Sequence, residues 1–503
     1  MRRASFLLTF SVLAAGCTGV QEYVHNGFKV GPNYAKPPAA IAKDWIDAAD
    51  QRVRKESDDL SQWWGVFNDP ALDGLIKSAY SQNLTLRAAG MRVLQARAQL
   101  GISTGELFPQ KQQITGDYTR TLQSQRTVFG LFIPFHYYNQ WDLGNNLSWE
   151  LDFWGRFRRA VESDSATLDA SVENYDDVLV TLLGDVATYY TQMRTSDERI
   201  KYAKENVELQ RETLRLTESR FKAGTVSELD VVQARSTLEQ TQALIPQFEI
   251  DLRVSNNQLC ILLGMSMEDL QARVGPAPIP VAPVEVAAGI PADLLRRRPD
   301  VRRAERQAAA QCAQIGVAEA EFYPHIAITG TVGLSAQRLS QLFTHQAYAG
   351  TFGPSFQWNV LNYGRILNNV RLQDAKFQEL VATYQNTVLS ANQDVENGLV
   401  TFLKAQERTQ SQSASVDDAV KAVKIGMKQY SAGTVDFTRV TQLQQNLVPL
   451  QDTLAQAKGQ IALGLIQVYK ALGGGWQIRL AGNPEACIAV PTQNTPVRFG
   501  SPE

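Results

Sequence analysis

The stretch LSWELDFWGRFRR (147–159) is nearly spelled again as FQWNVLNYGRILN (356–368). Trp149 falls on Trp358, Gly155 on Gly364 and Arg156 on Arg365, each 209 positions on. The same offset lays RFKAGTVSELDV (220–231) on QYSAGTVDFTRV (429–440), Glu198-Arg199 on Glu407-Arg408, and Leu263-Gly264 on Leu472-Gly473. An ungapped match over some 118 positions means one supersecondary unit used twice.

Each copy carries segments of period two. From Ile114 to Leu122, Thr115, Asp117, Thr119 and Thr121 take one face, against Ile114, Tyr118 and Leu122. From Trp141 to Leu151, Trp141, Leu143, Leu147, Trp149 and Leu151 oppose Asp142, Gly144, Asn146, Ser148 and Glu150. In the second copy Ile326, Ile328, Val332 and Leu334 oppose Ala327, Thr329, Thr331 and Ser335. A fourth run sets Phe352, Phe356, Trp358 and Val360 against Thr351, Gly353, Ser355, Gln357 and Asn359. This alternation predicts four strands, each with one apolar and one polar face.

Long helical segments follow. Residues 156–219 and 365–428 contain no proline, and both reach an Ala-Gly-Thr-Val turn. Some 64 residues at about 1.5 Å each make a rod of roughly 95 Å. Return helices are expected over 226–264 and 435–472, with glycine as the C-terminal stop. Asp69-Pro70 starts a helix, a capping carboxylate followed by proline, expected to run to about Thr104. The organisation expected is a leader (1–16), an N-terminal segment (17–69), a first repeat (70–264), a Pro-rich connector (265–290), a second repeat (291–473) and an irregular tail (474–503).

The leader carries Arg2-Arg3 and then an apolar core from Phe6 to Ala15, the pattern of an export signal. LAAGC (13–17) resembles the lipobox of bacterial lipoproteins, which implies lipidation of Cys17. The alternative is ordinary cleavage after Gly16 that leaves Cys17 unmodified. Thr18, in place of an acidic residue, resembles lipoproteins sent on to the outer membrane.

Forty-nine Lys and Arg against 51 Asp and Glu leave a formal charge of −2, so no nucleic-acid footprint is expected. Beyond the leader nothing approaches the ~18 consecutive apolar residues of a spanning helix, so a membrane crossing must use strands. His25, His136, His325 and His345 show no metal-ligand spacing, and no P-loop, dinucleotide or nucleophile-elbow motif appears; neither a metal nor an enzymatic activity is expected. His136 and His345 fall in the loops joining strand to strand. Cys260 and Cys312 read as small core residues, and with Cys487 they define no pairing by position. Arg296-Arg297-Arg298-Pro299-Asp300 reads as a proline-marked helix start, with an anion-binding cluster as the alternative.

Four strands are too few for a barrel, because open edges facing lipid leave backbone groups unpaired at several kcal/mol each. Two chains would give about eight strands with a filled interior; three would give twelve and room for a lumen. The alternatives are a soluble sandwich with one wet face, and a solid coiled coil in place of a helical cylinder.

VGPNY (30–34), NDPAL (68–72), SWELDFWGR (148–156), the two AGTV turns, LLRRRPDVRRAE (294–305) and YKALGGGW (469–476) together resemble the TolC-type outer membrane factors. More narrowly they resemble the NodT branch of lipoproteins serving RND-type efflux systems. The resemblance implies a homotrimer sharing one twelve-stranded outer-membrane barrel above a long periplasmic helical tunnel. It implies a periplasmic adaptor and an inner-membrane RND transporter as partners, outer-membrane lipid around the barrel, and a passive channel needing no cofactor. The location implied is the outer membrane of a Gram-negative bacterium. Adaptor docking would fall on Gly224, Thr225 and Val226 and on Gly433, Thr434 and Val435. Gate candidates are Asp230, Arg439 and Gln442, including an Asp230–Arg439 link; many relatives carry aspartate where Gln442 stands. The alternatives are a duct for type I protein secretion and a periplasmic helical scaffold without a channel.

Overall fold

The computed structural model describes residues 20–56, 59–124, 126 and 137–481. Within them the duplication is preserved in element length. The helix α3 (Arg156–Lys222) and its counterpart α7 (Arg365–Ser431) each hold 67 residues, 209 positions apart. At about 1.5 Å per residue each is a rod of roughly 100 Å. The preceding helices α2 (Leu84–Gly105) and α6 (Pro299–Ala320) each hold 22 residues, but their offset is 215. The repeat therefore begins upstream of the 209-offset match, and the six-residue change falls between the helices, where the strands lie.

Two compact units are formed. One gathers the described parts of 1–38 with 92–172 and 303–385. It contains the strands β1 (Lys111–Leu122), β2 (Tyr137–Leu151), β3 (His325–Ala336) and β4 (Tyr348–Gln357). They form one antiparallel sheet in that order. The fourth strand stops at Gln357, so Trp358 and Val360 lie beyond it rather than in it. Trp358 instead turns its indole Nε1 onto the carbonyl of Phe322 at 2.9 Å.

The N-terminal segment of this unit is held by the RFRR start of α3. Arg158 donates to the carbonyls of Gly27 and Phe28 at 2.8 and 2.7 Å. Arg159, buried, donates to the carbonyls of Val30 and Gly31 at 3.0 and 2.8 Å and to Asn33 Oδ1 at 3.0 Å. A backbone without a partner strand is thus satisfied by guanidinium forks, whose several donors suit a line of carbonyls.

The second unit gathers 39–91, 173–302 and the described part of 386–503. Here the helix α1 (Pro70–Gln82) starts as expected: Asp69 accepts from the amides of Ala71 and Leu72, and its other oxygen accepts from the Tyr190 hydroxyl at 2.7 Å. The helix does not run on to Thr104. It breaks at Asn83, whose Oδ1 caps the next helix at the amide of Leu86 (2.8 Å). Asparagine competes well for such a position because its side chain replaces a missing backbone partner. The first return helix is also divided, into α4 (Glu228–Gln242) and α5 (Leu244–Leu262). Pro246 has no N–H for the carbonyl of Gln242, and its ring crowds that carbonyl. The second return helix, α8 (Phe437–Ala471), is continuous with Pro449 inside it.

Leu72, Leu75, Ile76 and Ala79 of α1 are buried, as are Trp63, Trp64 and Tyr469, with Trp63 stacked on Tyr469 at 5.6 Å. The chain from Trp476 is docked up to Ala481, against the expectation of an irregular tail. Arg302 lies over the Trp476 ring at 4.5 Å, and Arg479 forks onto buried Asp176 at 2.7 and 2.9 Å. Residues 53–54 and 286–287 add a two-residue parallel pair.

Candidate functional site

The site that matters is a surface, the two faces of the sheet. Residues directly opposite in an antiparallel pair share a face. The register pairs Tyr118 with Trp141, Leu143 with Leu334, Trp149 with Ile328 and Ile326 with Phe356. All four pairs lie on one apolar face. On the other, Asn146 stands opposite Thr331 and Thr331 opposite Thr351, whose hydroxyls meet at 2.9 Å. Thr115 accepts from Asn146 at 3.2 Å on the same side. A hollow of about 610 Å³ on the sheet is lined by Asn146, Ser148, Thr329, Thr331 and Thr351 among others.

Among the described residues the apolar face is uncovered: Ile114, Tyr118, Val332, Phe352 and Phe356 are exposed. Contiguous apolar surface of this kind marks contact with lipid or a partner. Among the described residues β1 and β4 are each paired on one side only. No described helix is long and apolar enough to cross a membrane.

At the end of the sheet lies a cluster that the sequence reading missed. Arg156 bridges Glu150 at 2.9 Å and Glu321 at 3.1 Å; His325 stands 2.8 Å from Glu150 and 3.3 Å from Glu321. It ties the end of β2, the start of α3, the end of α6 and the start of β3. The available signal was Glu150 itself, a carboxylate on a face otherwise rich in small polar residues. No described group of His, Cys, Asp or Glu is arranged to hold a metal ion.

The two AGTV turns have the same geometry. Gly224 and Gly433 are left-handed (φ 72° and 77°), and the next threonine bonds back by both amide and hydroxyl. Thr225 reaches the carbonyl of Arg220 at 3.0 Å twice; Thr434 reaches that of Gln429 at 2.9 and 3.0 Å. These bonds satisfy the orphan carbonyls of a helix end. Val226 and Val435 are half-buried, whereas the glycines and threonines are exposed. Tyr430, Phe437, Val440 and Ala234 form the core beneath.

Asp230 and Arg439 prove to be repeat partners, each three residues past an N-cap. Ser227 caps α4 and Asp230 completes a capping box, its Oδ2 accepting from the Ser227 amide at 3.0 Å. Asp436 caps α8 by accepting from the Arg439 amide at 3.2 Å. Within the chain no ion pair joins Asp230 to Arg439. Gln442 is exposed on α8. Cys17 and His136 lie outside the described residues; His345 sits in a short turn before β4.

The Arg-rich motif acts through Arg298. It donates to the carbonyl of Ala471 at 2.9 Å, at the end of α8, and pairs with Asp300 and Asp394. Its repeat partner Asn83 donates to the carbonyl of Leu262 at 2.8 Å, at the end of α5. Arg298 and Asn83 thus each close one return helix, and a helix starts at Pro299 as the motif predicts.

A duplicated chain with a two-faced four-strand sheet and helical hairpins this long has the build of an outer-membrane duct. The profile of the outer membrane efflux protein family matches residues 75–265 and 290–474. Nodulation protein T of Rhizobium leguminosarum bv. trifolii is 29% identical over 470 residues, 93% of this chain and 96% of its own. The toluene efflux pump outer membrane protein TtgI of Pseudomonas putida is 31% identical over 461 residues, 90% of this chain and 96% of its own. The solved outer-membrane channel OprN superposes with a TM-score of 0.83 at 32% identity, covering 89% of this chain and 99% of that one. The chain belongs to the outer membrane efflux protein family. It is an outer-membrane channel with a large periplasmic part, a member of a family of channel proteins rather than of enzymes.

Proposed function

We propose that three copies of the chain pool their sheets into one twelve-stranded barrel and form the passive exit duct of an RND-type tripartite efflux system. The observation that carries this is the segregation of the sheet into an exposed apolar face and a hydroxyl- and amide-rich one, with an edge on either side that no described strand pairs. Lipid tolerates the first face and excludes open edges, so edges must close on other copies. Two copies would give about eight strands and a filled interior, whereas three give a lumen.

Cys17 would carry the lipid anchor. The AGTV turns (Gly224, Thr225, Val226 and Gly433, Thr434, Val435) would receive a periplasmic adaptor, and an inner-membrane RND transporter would supply the energy. Asp230, Arg439 and Gln442 lie just beyond those turns and are the gate candidates. A passive duct needs no cofactor. Relatives named for export of pyoverdine, solvent and toluene favour small-molecule efflux over protein secretion.

The test is conductance of the purified mature protein in planar bilayers, together with dye accumulation in a deletion strain. Discrete ion-conducting steps and raised accumulation are expected. A protein that passes no ions, or a deletion that leaves accumulation unchanged, would reject the reading.

A further inference from the structure

The apolar face of the sheet carries a single charge. Among the described strand residues that share this face, Arg120 of β1 is the only charged one; Asp117, Asp142 and Glu150 all lie on the other. An arginine turned to lipid is costly at the midplane and nearly free at the interface, so its depth decides its role.

The tryptophans mark that depth. Trp149 and Trp141 stand on the same face, eight positions apart along β2, which is roughly 27 Å of strand. A strand tilt of about 40° leaves some 20 Å between the two indoles along the membrane normal, most of a ~25 Å apolar band. Arg120 stands opposite Asn139, the next pair on this face beyond Trp141. The helices α2 and α3 join the strands at the other end, near Lys111 and Leu151. Arg120 therefore sits at headgroup depth on the outer side.

The groups around it are donors. Its guanidinium lies 5.6 Å from the centroid of the Tyr137 ring and has no carboxylate partner among the described residues. The Tyr118 hydroxyl donates to Asn139 Oδ1 at 3.2 Å, which leaves the Asn139 amide nitrogen to donate elsewhere. Arg120, Tyr137 and Asn139 are all exposed. No acid competes in the sequence either. Residues 118–141 and 322–373, which hold both outer strand-to-strand segments, contain no Asp or Glu, whereas those segments bring Arg126, Arg338, His136 and His345.

Resting on the reading that this face meets lipid, we infer that Arg120, with Asn139 and Tyr137, binds the phosphate of an outer-leaflet lipid headgroup. A guanidinium takes two phosphate oxygens in a fork, where an ammonium acts only as a point charge. The Asn139 amide supplies a further donor. Below it the Tyr118–Trp141 pair, with rings 4.4 Å apart, presents an apolar body to the acyl chains. Three copies carry three such sites on the outer wall of the barrel, away from the lumen.

The probe is diphosphorylated lipid A, added to the purified mature oligomer in detergent and counted by native mass measurement. Dephosphorylated lipid A is the control. The parent should prefer the phosphorylated form, and Arg120→Gln should lose about fivefold of that preference at each site, the worth of one arginine at a charged surface. Arg120→Lys keeps the charge and loses the fork; it should retain part of the preference, and it serves where the glutamine variant does not assemble. In lipid-free detergent Arg120→Gln should dissociate at the parent's temperature, and added lipid A should raise that temperature less than it does for the parent. Equal affinity of parent and Arg120→Gln, or a parent indifferent to the phosphates, would overturn this inference and leave the proposed function standing. Full competition by millimolar inorganic phosphate would overturn it too, because the site would then take the free ion. Absence of any trimer would sink both.

Discussion

Trp149 donates its indole N–H to the carbonyl oxygen of Leu107 at 3.2 Å, and the same bond recurs in the second repeat between Trp358 and Phe322. Leu107 and Phe322 each stand two residues before a proline, Pro109 and Pro324, that leads into a strand. The bond ties the end of a helix to the segment that leaves the sheet. Indoles suit such a junction because one edge is apolar and the other needs a polar partner. Replacing Trp149 by phenylalanine should cost about 1 kcal/mol, the worth of one lost bond and an unpaired carbonyl. The Trp358 change should cost less, since that ring is more exposed. Thermal dissociation of the single and double variants tests this, and a Trp149 variant as stable as the parent would refute it.

Gly264 and Gly473 close the two return helices at φ 67° and 72°. A Cβ at Gly264 would fall on the carbonyl of Gln82, and one at Gly473 would lie 3.0 Å from that of Arg297. Gly224 has a similar φ but open space around it. Alanine at 224 should then cost only the about 1–2 kcal/mol of a left-handed alanine. Alanine at 264 should cost clearly more. Equal melting temperatures for G224A and G264A would show that the close approach does not matter.

Asp230 serves its own helix, which makes the test of gating sharper. Asp230→Asn keeps an acceptor for the Ser227 amide and removes the charge; Asp230→Ala removes both. If charge closes the periplasmic end, both variants raise single-channel conductance. If Asp230 only caps, the asparagine variant conducts as the parent does and the alanine variant loses about 1 kcal/mol of stability.

Asp50 carries the pH prediction. The side-chain and backbone bonds from Arg52 pull its carboxyl from 3.8 down to about 2. Arg52 in turn holds the carbonyl of Leu403, Gln406 and Glu407 of α7. Because the folded value lies below the unfolded one, the stabilisation is present above pH ~4 and lost as pH falls towards 2. The parent should lose melting temperature more steeply than Asp50→Asn across that window. Parallel profiles would contradict the assignment.

Periodicity made the strands, the long rods and the polar-versus-apolar faces legible, because each depends on spacing alone. The two helix breaks were harder. Pro246 was visible, but Pro449 sits inside an unbroken helix, so proline by itself does not decide; at Asn83 the deciding factor is a side chain capping forward. The Glu150–Arg156–Glu321–His325 cluster joins residues up to 175 apart, a distance no local pattern spans. The upstream helix lies inside both expected repeats, but its register was not legible, because its offset is 215 and its shared residues are few, Pro109 and Pro324 among them. The N-terminal clamp was present only as the RFRR motif, whose arginines reach carbonyls about 130 residues back.

The six residues by which the copies differ in spacing all fall between the conserved prolines and the conserved tryptophans. Descent with divergence has thus rewritten most side chains while confining changes of length to the strands and to the segments that hand one strand over to the next. That handover is the natural splice point for a foreign peptide. An epitope inserted after Arg338 should be displayed on the cell exterior, readable by antibody on intact bacteria, with the rods beneath left undisturbed.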